Sequence, residues 1–472
     1  MSRHPVEDAS TTPGLPISIG LAPALELAGI EWHAKALDWR SMKIVSLSVA
    51  IAVLVSGVAR ALVFLIGLIT NFAFYGRISG ELSSPANHQL GPWVIAVPVI
   101  GALIVGVMAR YGSKAIRGHG IPEAMEQILT NESRIPRRMT ILKPLSAAIA
   151  IGTGGPFGAE GPIIATGGAL GSWLGQVIHV TAQERKTILA AGAVAGMTAI
   201  FGTPFSAILL AIELLVFEFR PRSFIPVTAA ALTAIALRPI LFGTAPLFHV
   251  ATLAPAQDAA LLAYTVEGAL MGLIAVCLSR SIYFIEDLFE KLPFHWMWWP
   301  AVGGLAVGLV GVASPHTMGV GYENIDKILS GQFVGVALAM FCAMKFLSWS
   351  IALGSGTSGG TLAPIFTIGG GLGVLTGQAL QAIVPSAGVD LRIAGLVGMA
   401  ATFAGASRAL FTSVVFAIEI TQQFVCLLPL LAGCTSAFIV SALVMRTTIM
   451  TEKLARRGHH VPSEYIAAPP PT

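Results

Sequence analysis

The sequence predicts an all-α protein that crosses a membrane many times. Of its 472 residues, 55% are hydrophobic and only 11% are charged, whereas soluble domains carry about 25% charged residues. Apolar tracts fill nearly the whole stretch from Ile44 to Met445, and at about 20 residues per crossing this length predicts roughly ten to fourteen hydrophobic segments. The 51 glycines interrupt many of these tracts, as expected for closely packed and broken helices.

One membrane domain, residues 42–457, is expected between two polar ends. Residues 1–41 are mixed in composition and are interpreted as a cytoplasmic N-terminal segment, with no recognisable cleavable signal peptide. Residues 458–472 form a short polar C-terminal tail. Because two sequence blocks recur within the domain, we divide it into a first repeat of about 42–245 and a second of about 258–457.

The charged residues and cysteines of the chain exclude several classes of partner. The formal net charge of +4 includes small basic clusters such as Arg137-Arg138 and Arg456-Arg457. Basic residues beside apolar tracts are typical of cytoplasmic loops of membrane proteins, so we expect membrane lipid as a partner and no nucleic acid. The four cysteines lie in apolar tracts without metal-ligand spacing. We therefore expect reduced core cysteines, no metal and no cofactor.

A single acidic residue stands in a long stretch that is otherwise uncharged. Residues 154–168 read Gly-Gly-Pro-Phe-Gly-Ala-Glu-Gly-Pro-Ile-Ile-Ala-Thr-Gly-Gly, and Glu160 is the only charge between Pro144 and Gln183. An ionisable group within a bilayer costs about 3 kcal/mol on insertion scales and is a functional-site hypothesis by default. The glycines and Pro162 predict a helix N-terminus, which attracts anions. We interpret Glu160 as a gate that competes with an anion; a helix cap or a buried ion-pair partner is the alternative.

The pattern around Glu160 recurs in the second half of the chain. Residues 162–171 match residues 364–373, and further along 192–213 parallels 398–419, each of these two ending Ala-Ile-Glu. A repeated helical block is typical of transporters whose halves have opposite orientations. If the repeats are inverted, helix starts at Glu160 and at its aligned position, Leu362, converge near the middle of the membrane. Generic packing of small residues is the other explanation.

With these motifs, the chain resembles the CLC family of chloride channels and proton-coupled chloride transporters. Three segments carry the resemblance: 118–122 (Gly-His-Gly-Ile-Pro), 158–162 (Gly-Ala-Glu-Gly-Pro) and 360–364 (Gly-Thr-Leu-Ala-Pro). They are similar to the family patterns GSGIP, GxEGP and GxFxP, and they occur in the same order. The resemblance implies two inverted repeats with many tilted and broken helices, and a homodimer with one anion pathway in each subunit. It points to a prokaryotic-type member without CBS domains, located in a bacterial inner membrane.

The resemblance also implies roles for individual residues. Glu160 aligns with the family's external gating glutamate, which occupies an anion site when ionised and swings away when protonated. Lys143 falls where the family carries a lysine close to the pathway. The anion-binding positions implied by the alignment are His119, Gly120, Ile121, Gly161, Thr361, Leu362 and Met450.

Three positions, His119, Leu214 and Met450, depart from the family pattern. His119 replaces the serine of GSGIP, and its imidazole either donates an N–H to the anion or turns aside to bond backbone. Leu214, beside Glu213, stands where many exchangers carry an inner proton-transferring glutamate, and a leucine cannot relay a proton. Either protons enter by water or by Glu218, or coupling is lost. Met450 aligns with an inner-gate tyrosine and lacks its hydroxyl.

The expected function is the transport of chloride or a similar small anion, gated by the protonatable Glu160. Exchange for protons and a passive voltage- or pH-gated channel are both compatible with these residues. Nitrate and fluoride are alternative ions, because His119 stands at a position that influences anion choice in the resembled family. The intact Gly-Ile-Pro after His119 and the GxEGP pattern argue against a fluoride-selective member. An enzyme is not expected, since Glu160 has no nucleophile, base or metal partner within its motif.

Overall fold

The computed structural model describes residues 39–248, 250–459 and 461 of the chain. Within these residues the chain folds into seventeen α-helices and short 3-10 turns, and the β-structure described there consists of two isolated bridges. Most of the predicted N-terminal segment, 1–41, and of the predicted tail, 458–472, lies outside the described residues.

The helices fall into two successive sets of eight, followed by one short terminal helix. The first set is α1 (Trp39–Tyr75), α2 (Ala96–Tyr111), α3 (Ile121–Thr130), α4 (Met139–Gly152), α5 (Glu160–Val177), α6 (Ala182–Phe201), α7 (Pro204–Leu210) and α8 (Pro221–Leu241). The second set is α9 (Asp258–Glu290), α10 (Trp299–Ala313), α11 (Tyr322–Leu329), α12 (Gly335–Gly354), α13 (Leu362–Ile383), α14 (Leu391–Ser407), α15 (Leu410–Thr421) and α16 (Leu427–Val444). The terminal helix is α17 (Glu452–Arg456).

The long helices are the apolar tracts that the composition predicts. Among the described residues, eight helical stretches are long and apolar enough to cross a membrane, and four shorter apolar helices accompany them. These numbers agree with the predicted ten to fourteen hydrophobic segments. The chain is an integral, multi-pass, all-α membrane protein, which confirms the predicted fold class.

The two sets repeat the same order of helices and the same packing. Helix α5 packs on α6 as α13 packs on α14, and α1 packs on α8 as α9 packs on α16. Equivalent glycines allow both contacts: a Cβ on Gly167 would lie 2.2 Å from the carbonyl oxygen of Gly192, and one on Gly398 would lie 2.5 Å from that of Gly369. Because no side chain fits at such distances, glycine lets the paired backbones touch.

The repeated Ala-Ile-Glu segments join the two halves. The Glu213 carboxylate accepts hydrogen bonds from the second and third N–H groups of α15, at 3.1 and 3.0 Å. Conversely, Glu419 accepts from the second and third N–H groups of α7, at 2.9 and 2.8 Å. A carboxylate is favourable at the positive end of a helix and satisfies N–H groups that have no partner within the helix. Each half therefore caps a helix of the other.

Candidate functional site

Three loops that precede helices meet at the centre of the domain. They are 117–120 before α3, 154–159 before α5 and 355–361 before α13. Gly158 and Gly360 exchange two backbone hydrogen bonds, of 3.2 and 2.9 Å, and the N–H of Gly118 donates to the carbonyl of Thr357 at 3.3 Å. These contacts bring the starts of α5 and α13 together, one from each half of the chain.

Glu160 lies at this junction as the first residue of α5, and only 1% of it is exposed. Its Oε1 accepts a hydrogen bond of 3.0 Å from the hydroxyl of Tyr322. Its Oε2 lies directly beside Gly158 and Gly360. A Cβ atom built on Gly158 would be 1.6 Å from this oxygen, and one built on Gly360 would be 2.9 Å from it. The carboxylate also lies near the N–H of Ala363 in the first turn of α13. It therefore faces the starts of both helices at once.

Several polar groups around the junction have unused hydrogen-bonding capacity. Glu160 Oε2, Thr361 Oγ1 and His119 Nδ1 are buried, and none has a hydrogen-bond partner in good geometry among the described residues. The N–H groups of the first turns of α5 and α13 also point beyond the helix ends, as in every helix. Buried polar groups are normally satisfied, so the hydroxyl, the imidazole and the helix N–H groups suit a small bound anion or water, whereas the carboxylate oxygen suits water or a proton.

A cavity of about 590 Å³ opens on one side of the junction. His119, which is 6% exposed, lines it together with Gly120 and Lys143. The buried ammonium of Lys143 donates to the carbonyls of Ile116 and Gly118, at 2.8 Å each. This lysine therefore fixes the loop that carries His119 and places a positive charge beside the cavity. Further charged side chains of both signs line the same cavity: Lys114, Arg117, Lys453, Arg457, Glu123, Glu126, Glu286 and Glu290.

A second lysine occupies the equivalent place in the other half. The fully buried Lys345 donates to the carbonyls of Thr317 at 2.9 Å and Gly319 at 3.5 Å. It thereby holds the loop before α11, whose first residue is Tyr322, the donor to Glu160. Neither Lys345 nor Tyr322 was predicted from the sequence motifs. A signal for both was present, because the Gly-x-Gly of 118–120 recurs at 319–321, and Lys345 stands at nearly the same distance after the second copy as Lys143 after the first.

The residues around Leu214 offer no proton carrier. Leu214 is 4% exposed and lies in a π-helical turn, Ala211–Val216, that continues α7. Its neighbour Glu213 is engaged as the cap of α15. Glu218, the alternative considered from the sequence, accepts hydrogen bonds of 2.5 Å from Gln183 and from Ser223. Neither glutamate is among the residues that line the cavity.

Met450 has a buried side chain, and its N–H donates to the hydroxyl of Thr448 at 3.1 Å. The preceding residue, Ile449, lines the cavity, and its carbonyl accepts a hydrogen bond of 2.8 Å from the hydroxyl of Tyr283 on α9. A tyrosine thus reaches this segment from another helix, a contact that the sequence motifs did not indicate. Anion binding at Met450 stays a prediction.

Comparison with known proteins identifies close parallels to this arrangement. Residues 100–442 match the family described as "Voltage gated chloride channel". The H(+)/Cl(-) exchange transporter ClcA of Salmonella agona (strain SL483) is 30% identical over 402 residues, which cover 80% of this chain and 83% of that protein.

Solved structures share the fold at lower sequence identity. A slow cyanobacterial Cl−/H+ antiporter matches with a TM-score of 0.79 at 20% identity, over 88% of this chain and 97% of that chain. A CLC-type fluoride/proton antiporter matches with a TM-score of 0.72 at 20% identity, over 86% of this chain and 96% of that chain.

Proposed function

This chain belongs to the voltage-gated chloride channel family, and on that basis we propose that it moves chloride or a similar small anion across the membrane in exchange for protons. A relative that is 30% identical is named as an H+/Cl− exchange transporter, which supports both ions. Such relatives are transporters rather than enzymes. We therefore propose that chloride is the transported ion and that the protein needs no cofactor and no metal.

The observation that carries this proposal is the position of the Glu160 carboxylate between two helix N-termini. A carboxylate and a halide are both stabilised by the same N–H groups and dipole ends, so they exclude one another. The ionised side chain blocks the site, and protonation weakens its hold on these groups. An anion then takes its place, and release of the proton returns the carboxylate.

The proposed anion site is built mainly from backbone N–H groups. We assign it to the N–H groups of Gly120, Ile121, Gly161, Thr361 and Leu362, with the His119 side chain at its edge and Met450 at its periphery. Lys143 on one side and Lys345 on the other supply positive potential that attracts anions towards a buried site. Neither ammonium has a carboxylate partner among the described residues, since both donate to carbonyl groups.

The Lys and Arg side chains that line the cavity beside its glutamates support its placement at the cytoplasmic face, because Lys and Arg accumulate on that side of membrane proteins. A bacterial inner membrane and a homodimer are part of the same proposal, on the strength of the family membership. A passive anion pathway is the second candidate function, and the leucine at position 214 favours it.

The test is paired measurement of chloride and proton movement in liposomes that contain the purified protein under a chloride gradient. Exchange predicts that chloride efflux drives protons inward against their own gradient. A passive pathway predicts chloride efflux without proton movement. Absence of flux for chloride, nitrate and fluoride alike would contradict anion transport itself.

A further inference from the structure

Proton exchange requires a group that connects the aqueous cavity with Glu160. Leu214 cannot serve, and neither Glu213 nor Glu218 lines the cavity. Apart from water, the candidate carriers among the described residues are therefore the titratable side chains that line the cavity itself.

Most of these side chains are already engaged. Glu123 accepts the N–H of Gly120 at 2.8 Å and an ion-pair hydrogen bond from Lys453 at 3.2 Å. The ammonium of Lys143 donates to two carbonyl groups.

Glu286 and Glu290 on α9 also line the cavity, but the first is only half-buried and the second is exposed. His119 differs from both, because it is buried, its Nδ1 has no partner among the described residues, and it still lines the cavity.

His119 also lies directly against the helix that carries the gate. A Cβ on Gly161 would be 2.0 Å from the carbonyl oxygen of His119, so the two backbones are in contact. Gly161 follows Glu160 in the first turn of α5. The backbone of His119 thus touches the turn that bears the gating carboxylate, while the residue also lines the aqueous cavity.

We propose that His119 carries protons between the cavity and Glu160, replacing the carboxylate that Leu214 does not provide. This inference rests on the proposed exchange function. A hydronium ion in the cavity gives a proton to a ring nitrogen, which leaves water and an imidazolium. The imidazolium passes a proton to the Glu160 carboxylate, directly or through water, and returns to neutral imidazole. The product is the uncharged carboxylic acid, and the reverse sequence releases the proton.

The charges that face His119 would link this step to the anion. Burial from water opposes the imidazolium most strongly, and Lys453 on α17 and Lys143 on α4 oppose it as well, whereas Glu123 on α3 favours it. A chloride ion arriving at the neighbouring N–H groups would favour the charged imidazolium by Coulomb attraction. Anion and proton would then enter the junction together.

The decisive variant is His119→Gln, because glutamine keeps an N–H donor of similar reach and cannot titrate in this range. In chloride-loaded liposomes, we expect chloride-driven proton uptake, counted per chloride ion released, to fall by about a hundredfold or more, the scale expected for loss of a proton-transfer group. His119→Ser restores the family's own residue and is expected to lower this proton-to-chloride ratio in the same way. His179→Gln changes an exposed histidine in the loop after α5 and serves as the matched control.

The outcomes separate this inference from the proposed function. If both His119 variants move protons and chloride in the wild-type ratio, His119 is not the carrier. If the wild-type protein moves chloride without protons, the proposed exchange is overturned and the carrier role with it, while anion transport stands. If the wild-type protein moves no anion, the proposed function fails first. If His119→Gln does not fold, the comparison of His119→Ser with the wild-type ratio decides.

Discussion

Glu160 is a residue whose neighbours favour two different states. The hydroxyl of Tyr322 and the starts of α5 and α13 stabilise a negative charge at the junction, while burial from water disfavours it. The carboxylate is therefore held firmly only when nothing else supplies that negative charge. In the proposed gate, an anion that enters the junction provides this alternative and displaces the carboxylate.

Glu160→Gln is expected to remove the pH dependence of anion flux. An amide has nearly the shape of the protonated acid and cannot ionise, so flux should stay within about twofold between acid and neutral pH. Chloride efflux from liposomes buffered across this range measures the effect. A variant whose flux still follows pH as the wild type does would show that another group controls the gate.

Tyr322→Phe is expected to loosen the gate without removing it. Loss of a hydrogen bond to a charged group costs about 1.5–3 kcal/mol, so the pH of half-maximal chloride flux should rise by about one pH unit or more. The direction follows because the hydroxyl supports the ionised, blocking carboxylate. Tyr264→Phe is the matched control, since the Tyr264 hydroxyl contacts only the Asp390 backbone. An unchanged midpoint in Tyr322→Phe would mean that this contact does not hold the gate.

At the scale of elements, the sequence predicts helix starts better than it predicts what those starts contact. The Gly and Pro spacing of 158–162 and 360–364 sufficed to place two N-termini and the acid between them. Tyr322 was missed because its loop keeps the glycines of 118–120 but not the proline that follows them, so the repeat is no longer visible as a motif. Its bond to Glu160 joins residues that are far apart in the chain, and local periodicity carries no information about such contacts.

The Ala-Ile-Glu repeat shows the same limit. Its recurrence was visible in the sequence, yet its function as a cap between the halves depends on how α7 and α15 lie against each other. The carboxylate of Glu419 satisfies two N–H groups of α7, a role that requires a partner from the opposite repeat.

Glu419→Ala is therefore expected to weaken the contact between the halves. Loss of a side-chain cap costs about 1 kcal/mol, and the N–H groups of α7 lose their acceptor. Thermal unfolding in detergent should show a lower midpoint than the wild type. Glu213→Ala should have a similar effect through α15, whereas Glu81→Ala, at an exposed loop position, should leave the midpoint unchanged. Unfolding midpoints equal to that of the wild type in all three variants would contradict the capping role.

At the scale of the whole molecule, the pseudo-symmetry produces two entrances of different character. The side of His119 opens into a cavity of about 590 Å³ lined by basic and acidic side chains, whereas the side of Tyr322 has a pocket of only about 40 Å³. Equivalent lysines support equivalent loops on both sides, but the residues that follow the glycines differ. The shared framework fixes the junction of the helix starts, and the differences leave a large cavity on one side and a small pocket on the other.

This asymmetry predicts which face meets the cytoplasm. Arg457 is exposed at the rim of the His119 cavity, and Gln89 is exposed in the loop between α1 and α2, which lies beside the Tyr322 pocket. In a background with Cys277, the exposed native cysteine, changed to Ser, Gln89→Cys should react with a membrane-impermeant maleimide on intact spheroplasts. Arg457→Cys should react only after permeabilisation, because the loops of membrane proteins that are rich in Lys and Arg face the cytoplasm. The opposite labelling pattern would reverse the orientation, and with it the side from which His119 collects its protons.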